Sequence, residues 1–180
     1  RIITHISNFR EVKRIPDVIK IFYNIQKELP AKLMLVGEGP EKEGAELLVE
    51  ELGISDRVVF LGNSNEIDRI LCFSDLFLLP SKTESFGLAA LEAMASGVPV
   101  ISTNTGGLSE VNEDGFSGYL SDVGDVKDMS ENAIKILSNT DTLNSFKANA
   151  KAQSKKFDLR NIVPMYEAIY EETLKKFLVH

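Results

Sequence analysis

The sequence predicts an α/β fold in which helices cover both faces of a parallel sheet. Two observations support this prediction. Apolar segments of four or five residues alternate with helical segments of about ten residues, a pattern typical of βαβ units. The segments predicted as strands have apolar residues on both sides, as strands buried on both faces must have. The 180 residues, of which 43% are hydrophobic and 26% charged, have the composition of one globular domain.

The elements follow one another in a regular order. Six strands are predicted from short apolar runs at 2–6, 32–36, 58–60, 76–79, 98–102 and 118–120. The first helix has Pro16 in its first turn and apolar residues at helical spacing: Ile15, Val18, Ile19, Phe22 and Ile25. Further helices are predicted around 45–52, 67–71 and 87–96, and the first and last of these end at Gly53 and Gly97.

The pattern after residue 125 is entirely helical, and it ends in a long helix within 157–180. This helix has one apolar stripe that is followed by no further element: Ile162, Met165, Tyr166, Ile169, Thr173 and Phe177. The stripe packs either on this domain or on another one. The chain begins at Arg1, without methionine and directly in a predicted strand, and we therefore expect a piece cut at a domain boundary.

Composition excludes several classes of protein. With 27 acidic against 20 basic side chains and a net charge of −7, broad nucleic-acid binding is not expected. The single cysteine, Cys72, excludes an internal disulfide or a multi-cysteine zinc site, and it favours a cytoplasmic protein. No His/Cys/Asp cluster suggests a metal site, no apolar run approaches the ~20 residues of a membrane span, and no signal peptide opens the chain.

Ligands of such sheets bind outside the carboxyl ends of the strands, so the segments after the strands are the candidate sites. The loop after the first strand has three cations, Arg10, Lys13 and Arg14, which suit an anion or simply a solvated loop. After the second strand, Gly37 and Gly39 permit either a ligand's approach or a tight turn. A dinucleotide fingerprint is not predicted, because its third glycine is absent and it belongs to the first turn.

The segment 80–95, after the fourth strand, is the most informative. We expect the backbone amides of 85–88 to form an anion site at the start of a buried helix. Glu92 is expected to be buried in that helix, where its carboxylate needs a partner such as paired ligand hydroxyls; the alternative is that it faces solvent or pairs with a lysine. After the fifth strand, the amides of 106–107 could reach an anion, or they form a plain connection.

The stretch from Glu84 to Ala93 has the form E-S-F-G-L-x-x-L-E-A, which resembles the E-x7-E signature of family 4 retaining glycosyltransferases with two Rossmann domains (GT-B). Other segments resemble that family's C-terminal domain in the same order: 37–40, 57–62, 74–75, 80–81, 97–100, 106–107 and 114–118. The resemblance implies a Rossmann-like, donor-binding C-terminal half over 1–180. It also implies that 157–180 packs toward an N-terminal domain, which supplies the acceptor site.

The resemblance also implies roles for individual residues. Glu84 would bind hydroxyls of the donor sugar, and Glu92 would bind both ribose hydroxyls. Lys13 would neutralise the diphosphate, whereas Asn8 stands where the family has arginine, so that Arg10 would reach the same phosphates or Asn8 would make a weaker contact. The remaining contacts come from backbone groups, with no metal: Ser85, Phe86, Gly87 and Leu88 at the sugar and diphosphate, and Leu61 and Gly62 at the uracil.

The segment 5–14 resembles one subfamily, the N-acetylglucosaminyl malate synthases of bacillithiol biosynthesis. This resemblance implies transfer of N-acetylglucosamine from its UDP carrier to L-malate with retention of configuration. Three alternatives stay open: a transferase or epimerase that uses ADP- or GDP-sugars, a non-catalytic α/β nucleotide-binding module, and a nicotinamide dehydrogenase. His5 is predicted to end a strand and His180 to be a free terminus.

Overall fold

The computed structural model describes the backbone of residues 1–178 and the side chains of residues 1–176; the predictions for His180 and for the side chain of Phe177 lie outside these residues. The strands are β1 (Ile2–Ile6), β2 (Lys32–Val36), β3 (Val58–Gly62), β4 (Leu76–Leu79), β5 (Val100–Thr103) and β6 (Gly118–Ser121). The helices are α1 (Ile15–Glu28), α2 (Lys42–Glu51), α3 (Ile67–Cys72), α4 (Leu88–Ala95), α5 (Leu108–Val111), α6 (Val126–Leu137), α7 (Thr140–Ser154) and α8 (Leu159–Leu178). Two short 3-10 helices occupy Glu11–Lys13 and Lys155–Phe157.

The six strands form one parallel sheet in the order β3-β2-β1-β4-β5-β6, which confirms the predicted fold class. β2 and β3 are added on one side of β1, and the chain then crosses to the other side of β1, where β4, β5 and β6 follow. β1 and β4 pair only at Ile3 with Leu76 and at Thr4 with Phe77, whereas β1 and β2 pair over five residues. The carboxyl ends of β1 and β4 therefore flank the topological switch point, where such sheets bind ligands.

Both faces of the sheet are covered, as predicted from strands with apolar residues on both sides. Alternate residues of β4 enter different apolar clusters, with Leu76 and Leu78 in one and Phe77 and Leu79 in the other. The first cluster also contains the buried faces of α1 and α6, and the second contains residues of α4 and α5. Two packed layers of helices hold the sheet, and with it the loops at its carboxyl edge, in place.

Two strand boundaries differ from the prediction by two residues, and the ends of β5 and β6 differ by one residue, at Thr103 and Ser121. β5 begins at Val100 rather than at Val98, because the amide of Val98 closes α4 by donating to the carbonyl of Ala93 at 2.9 Å and Pro99 has no amide hydrogen. β3 continues to Gly62, whose carbonyl accepts from the amide of Gly37 at 2.8 Å. These differences concern one or two residues at a strand end and leave the sheet order unchanged.

The long last helix is present as α8, but its apolar side is largely uncovered. Met165, Tyr166 and Ile169 are 62%, 57% and 57% exposed. A groove of about 670 Å³ lies between this side of α8 and the start of α4. Packing of α8 toward another domain stays a prediction. None of the helices within 1–178 is both long and apolar enough to cross a membrane.

Candidate functional site

The loops that follow β1 and β4 are joined across the switch point by an ion pair. Lys13 donates its Nζ hydrogen to Oε1 of Glu84, and the two side chains are only 20% and 14% exposed. The backbones of the same loops are joined where the amide of Lys82 donates to the carbonyl of Val12 at 2.7 Å. The structure thus brings together two residues that the sequence analysis placed in one site from distant parts of the chain.

Glu84 is held by a second bond on the same oxygen. The hydroxyl of Ser81 donates to Oε1 at 3.0 Å, and Oε2 accepts no hydrogen bond from any residue of the described chain. One carboxylate oxygen is therefore fixed, and the other is available to a ligand. The sequence analysis missed Ser81 as a site residue, although its position three residues before a glutamate is the spacing of a local serine–glutamate contact.

The loop after β5 supports the segment that contains Glu84. Gly106 has φ +56°, and a Cβ atom there would lie 1.8 Å from the carbonyl oxygen of Glu84. The amide of Gly107 donates to that same carbonyl at 3.4 Å, and the hydroxyl of Thr103 donates to the carbonyl of Ser81 at 2.7 Å. The two glycines permit close packing of two loops, and the amide of Gly107 is used in that packing.

The N-terminus of α4 presents a row of free backbone donors. Gly87 precedes the helix in the left-handed conformation, with φ +92°. In the described chain, none of the amides of 85–90 donates to a protein acceptor. Consecutive free amides at a helix N-terminus, together with the helix dipole, favour an anion. The side chain of Phe86 packs edge-on against Phe157, with 5.8 Å between the ring centroids.

The prediction that Glu92 is buried is wrong. Glu92 is exposed, and no lysine or arginine of the described chain pairs with it. The reason is that α4 buries only one side, through Ala90, Ala93 and Met94. Its other side, with Leu88 and Glu92, is open. Glu92 therefore needs no partner to offset burial, and it is accessible to a ligand.

The cations of the β1 loop have different surroundings. Arg14 pairs with Asp17 at the start of α1, and Lys13 pairs with Glu84. Asn8 and Arg10 are exposed, and their side chains form no hydrogen bond or ion pair with the part of the chain that is described. The structure therefore places Asn8 and Arg10 on the loop of the site but does not join them to Glu84.

The loops after β2 and β3 complete the carboxyl edge of the sheet. Leu61 is 42% exposed at the end of β3, and Gly62 beside it has φ +65°. At Gly37 an added Cβ atom would lie 1.8 Å from the carbonyl oxygen of Ser7, so this glycine allows the β1 and β2 loops to pack together. The structure shows close packing at these glycines, and a ligand's approach to them stays a prediction.

His5 lies in β1 beneath the ion pair. The ring is fully buried, and burial lowers the pKa of His5 to about 4. Its Nδ1 atom is 2.8 Å from the carbonyl oxygen of Leu78, and its Nε2 atom is 2.7 Å from the hydroxyl of Ser7. Among residues 1–178, no three His, Cys, Asp or Glu side chains are grouped so that they could hold a metal. A reaction without metal stays a prediction.

The fold and the site define a Rossmann-like α/β domain with a crevice at its switch point, lined by the Lys13–Glu84 ion pair and by free backbone amides. A comparison with protein families is more specific: the family model described as "Glycosyl transferases group 1" matches residues 1–153. The chain belongs to this glycosyltransferase family, and its predicted C-terminal, GT-B-type fold is confirmed by the solved structures that it resembles.

Among curated proteins, the chain is 45% identical over 176 residues to an N-acetyl-alpha-D-glucosaminyl L-malate synthase of Bacillus anthracis; the match covers 97% of the chain and 46% of the relative. It is 31% identical to a 2-deoxystreptamine N-acetyl-D-glucosaminyltransferase of Niallia circulans, over 88% of the chain and 42% of the relative. The chain thus spans just under half the length of these relatives.

Two solved structures show the same fold at 25% identity. A mutant of S. aureus TarM in complex with Fondaparinux, alpha-GlcNAc-glycerol and UDP has a TM-score of 0.88, over 94% of this chain and 35% of that one. Anabaena HepE in complex with UDP and glucose has a TM-score of 0.85, over 95% of this chain and 48% of that one.

Proposed function

We propose that this chain is the donor-binding half of a retaining glycosyltransferase, which transfers N-acetylglucosamine from UDP-N-acetylglucosamine to L-malate. The observation that carries the proposal is the crevice itself, where a lysine, a glutamate with one free oxygen and the free amides of 85–90 occupy the switch point. The UDP complexes of structures that share the fold support the choice of nucleotide. The printed name of the Bacillus anthracis relative supports the choice of sugar and acceptor.

The charges of the site suit the bond that is broken. Cleavage of the anomeric C–O bond places negative charge on the departing diphosphate, and Lys13 and the start of α4 are cationic and donor groups that stabilise it. Arg10, exposed on the same loop, would add to that field. The acceptor oxygen forms the new bond to the anomeric carbon on the same face, and its proton passes to the leaving phosphate.

The remaining contacts of the donor follow from the free groups. The Oε2 atom of Glu84 would accept from a sugar hydroxyl, and the exposed carboxylate of Glu92 would accept from both ribose hydroxyls. Leu61 and Gly62 would face the uracil. Because Lys13 is bound to Glu84 in this structure, the diphosphate would have to draw it partly away from that carboxylate. The acceptor site would belong to a second Rossmann domain, toward which α8 packs, and we place the reaction in the cytoplasm.

A thermal-shift series with the purified chain tests the donor half of the proposal. The ligands are UDP, UDP-N-acetylglucosamine, ADP, GDP and NAD. At a concentration 100 times its dissociation constant, a ligand stabilises the folded chain by about 2.7 kcal/mol. For a domain of this size, the melting temperature rises by roughly 2–4 °C for each kcal/mol. We expect shifts with the two uridine ligands alone.

The other outcomes separate the alternatives. Shifts with ADP or GDP would favour a different nucleotide-sugar enzyme, and a shift with NAD alone would favour a dehydrogenase. No shift with any ligand would favour either a non-catalytic module or a donor site that needs the second domain. The same series on the whole protein then separates these two. The acceptor is tested on the whole protein, where UDP release from UDP-N-acetylglucosamine should require L-malate and give an α-linked product. UDP release that does not depend on L-malate would contradict the acceptor assignment.

A further inference from the structure

The hydrogen-bond partners of His5 permit only one tautomer of its neutral ring. Nδ1 of His5 faces the carbonyl oxygen of Leu78 at 2.8 Å, and a carbonyl oxygen can only accept a hydrogen bond. Nδ1 must therefore carry the hydrogen. In the neutral ring, Nε2 is then an acceptor, so the hydroxyl of Ser7, 2.7 Å away, must donate to it.

The ring is neutral at ordinary pH because it is fully buried. Burial is the largest cause that lowers the pKa of His5 to about 4, and the bond to Leu78 raises the pKa by less. The charges of Lys13 and Glu84 have smaller, opposite effects: Lys13 lowers the pKa of His5 and Glu84 raises it. The aromatic neighbours Phe9 and Phe77, with ring centroids 6.3 and 6.4 Å away, hold the ring in its plane.

Ser7 directly follows the last residue of β1, at the switch point, and it is half-buried. Its amide hydrogen is used in a bond to the carbonyl of Val36 at 3.1 Å. Its hydroxyl hydrogen is used in the bond to His5. Within the described residues, no other side chain or backbone group bonds to this hydroxyl. The group left for a ligand is therefore a hydroxyl oxygen that can accept a hydrogen bond but cannot donate one. Phosphate oxygens also only accept, so this oxygen does not suit the diphosphate.

We propose that Ser7 accepts a hydrogen bond from an O–H or N–H group of the donor's sugar, and that His5 is the positioning residue that orients its hydroxyl. This inference rests on the proposed function, and it assigns to the same site a residue that distinguishes the nucleotide sugar from the bare nucleotide. Ser7 therefore contributes to the affinity for the sugar and makes no contribution to the affinity for UDP.

The tautomer is tested without any ligand. Heteronuclear NMR of the chain with isotope-labelled histidine distinguishes a ring protonated at Nδ1 from one protonated at Nε2. The chain has two histidines, so in a His180→Asn variant every histidine signal comes from His5. We expect the Nδ1-protonated form at neutral pH, although free histidine favours the Nε2-protonated form. An Nε2-protonated His5 would overturn the inference, because the hydroxyl of Ser7 would then be free to donate.

The contact is tested by calorimetric titration of Ser7→Ala with UDP and with UDP-N-acetylglucosamine. Loss of one hydrogen bond should weaken binding of the sugar nucleotide by roughly five- to tenfold and leave UDP binding unchanged. His5→Phe keeps an aromatic ring between Phe9 and Phe77 but frees the hydroxyl of Ser7, and it should show the same selective loss. Ser74→Ala is the matched control, since Ser74 forms a buried hydroxyl pair with Thr4 at the opposite end of β4.

The two proposals fail in different ways. If Ser7→Ala loses affinity equally for both ligands, or for neither, the role of Ser7 is overturned. The proposed function stands in that case, provided that the parent chain still prefers uridine ligands. If neither this chain nor the whole protein binds either ligand, the proposed function and this inference are overturned together.

Discussion

At the residue scale, Glu84 has its two carboxylate oxygens in different situations. Oε1 accepts from Lys13 and from Ser81, whereas Oε2 is left without a partner in the part of the chain described. This asymmetry fixes the orientation of the carboxylate before any ligand arrives, so the ligand does not have to order it. Lys13 is held by the same bond, so the carboxylate is already oriented in the free chain, whereas the lysine has to shift toward a bound diphosphate.

Replacing Glu84 with glutamine should affect the sugar and not the nucleotide. The amide cannot hold Lys13 by charge, so the lysine is free to move toward the diphosphate. We expect Glu84→Gln to bind UDP at least as tightly as the parent and to lose affinity for UDP-N-acetylglucosamine, as measured by titration calorimetry. Loss of UDP binding in this variant would contradict the assignment of Glu84 to the sugar.

Glu92 gives the complementary prediction. Because Glu92 is exposed, Glu92→Gln should change the free energy of unfolding by no more than about 0.5 kcal/mol in denaturant titrations. It should weaken binding of UDP by about 1–3 kcal/mol, since ribose hydroxyls would lose a charged acceptor. The same loss should appear with UDP-N-acetylglucosamine, because both ligands contain the ribose. Unchanged affinity for both would remove Glu92 from the site.

His5 makes stability depend on pH on the acid side. Its pKa is lowered by burial to about 4 from 6.5, so the unfolded chain binds the proton more tightly than the folded chain. The stability from the neutral ring is complete above about pH 6.5 and is lost as the pH falls toward 4. When the pH falls from about 7.5 to about 5, the free energy of unfolding of the parent should decrease by about 2 kcal/mol more than that of His5→Phe, as measured in urea titrations. Parallel pH profiles of the two proteins would contradict a buried neutral His5.

Motifs in the sequence located Lys13 and Glu84, but they could not give the bonds around them. The contacts of Ser81, His5 and Ser7 depend on how β1 and β4 are placed, and that placement is a property of the tertiary structure. The burial of Glu92 was predicted from the apolar composition of the whole helix. The better signal was that Leu88, Glu92 and Ala95 share one side of α4, which the structure leaves exposed.

At the scale of elements, the contact between the β4 and β5 loops controls the position of Glu84. Gly106→Ala puts a Cβ atom against the carbonyl of Glu84 at a positive φ, so the loop must move. Gly53→Ala is the matched control, since Gly53 has φ +65° and no atom within 4 Å of an added Cβ. Conformational strain alone should cost each variant about 1 kcal/mol.

We expect Gly106→Ala to be destabilised more than Gly53→Ala in thermal unfolding, and to lose affinity for the sugar nucleotide, which Gly53→Ala should keep. Equal behaviour of the two variants would mean that the loop contact does not position Glu84.

We expect α8 to contribute less to the stability of this domain than any other helix. A chain that ends at Asp158 should have a free energy of unfolding within about 1 kcal/mol of the parent's, because the apolar side of α8 is mostly exposed. Its thermal shift with UDP should also be unchanged. A chain that ends at Ser138 is the control, and it should lose cooperative unfolding because α7 buries Leu143, Phe146 and Ala150. A large loss of stability in the first truncation would show that α8 belongs to this domain's own core.

At the scale of the whole molecule, the alternation of short apolar strands with helices was sufficient to predict a parallel sheet covered on both faces. The strand order was not contained in that pattern. Local periodicity does not say on which side of β1 the next strand is added. The chain reverses after β3 and adds β4 on the other side of β1, which creates the crevice between the β1 and β4 loops. The sequence therefore predicted the parts of the site, and the topology brought them together.

The central claim is that the crevice between the β1 and β4 loops binds the diphosphate of a uridine nucleotide. Amide NMR spectra of the chain during titration with UDP test it most directly, because each backbone amide reports its own surroundings. We expect the largest changes at the amides of 85–90, at Lys13 and at Gly62. Changes confined to other surfaces, or spectra that do not change at saturating UDP, would contradict the account.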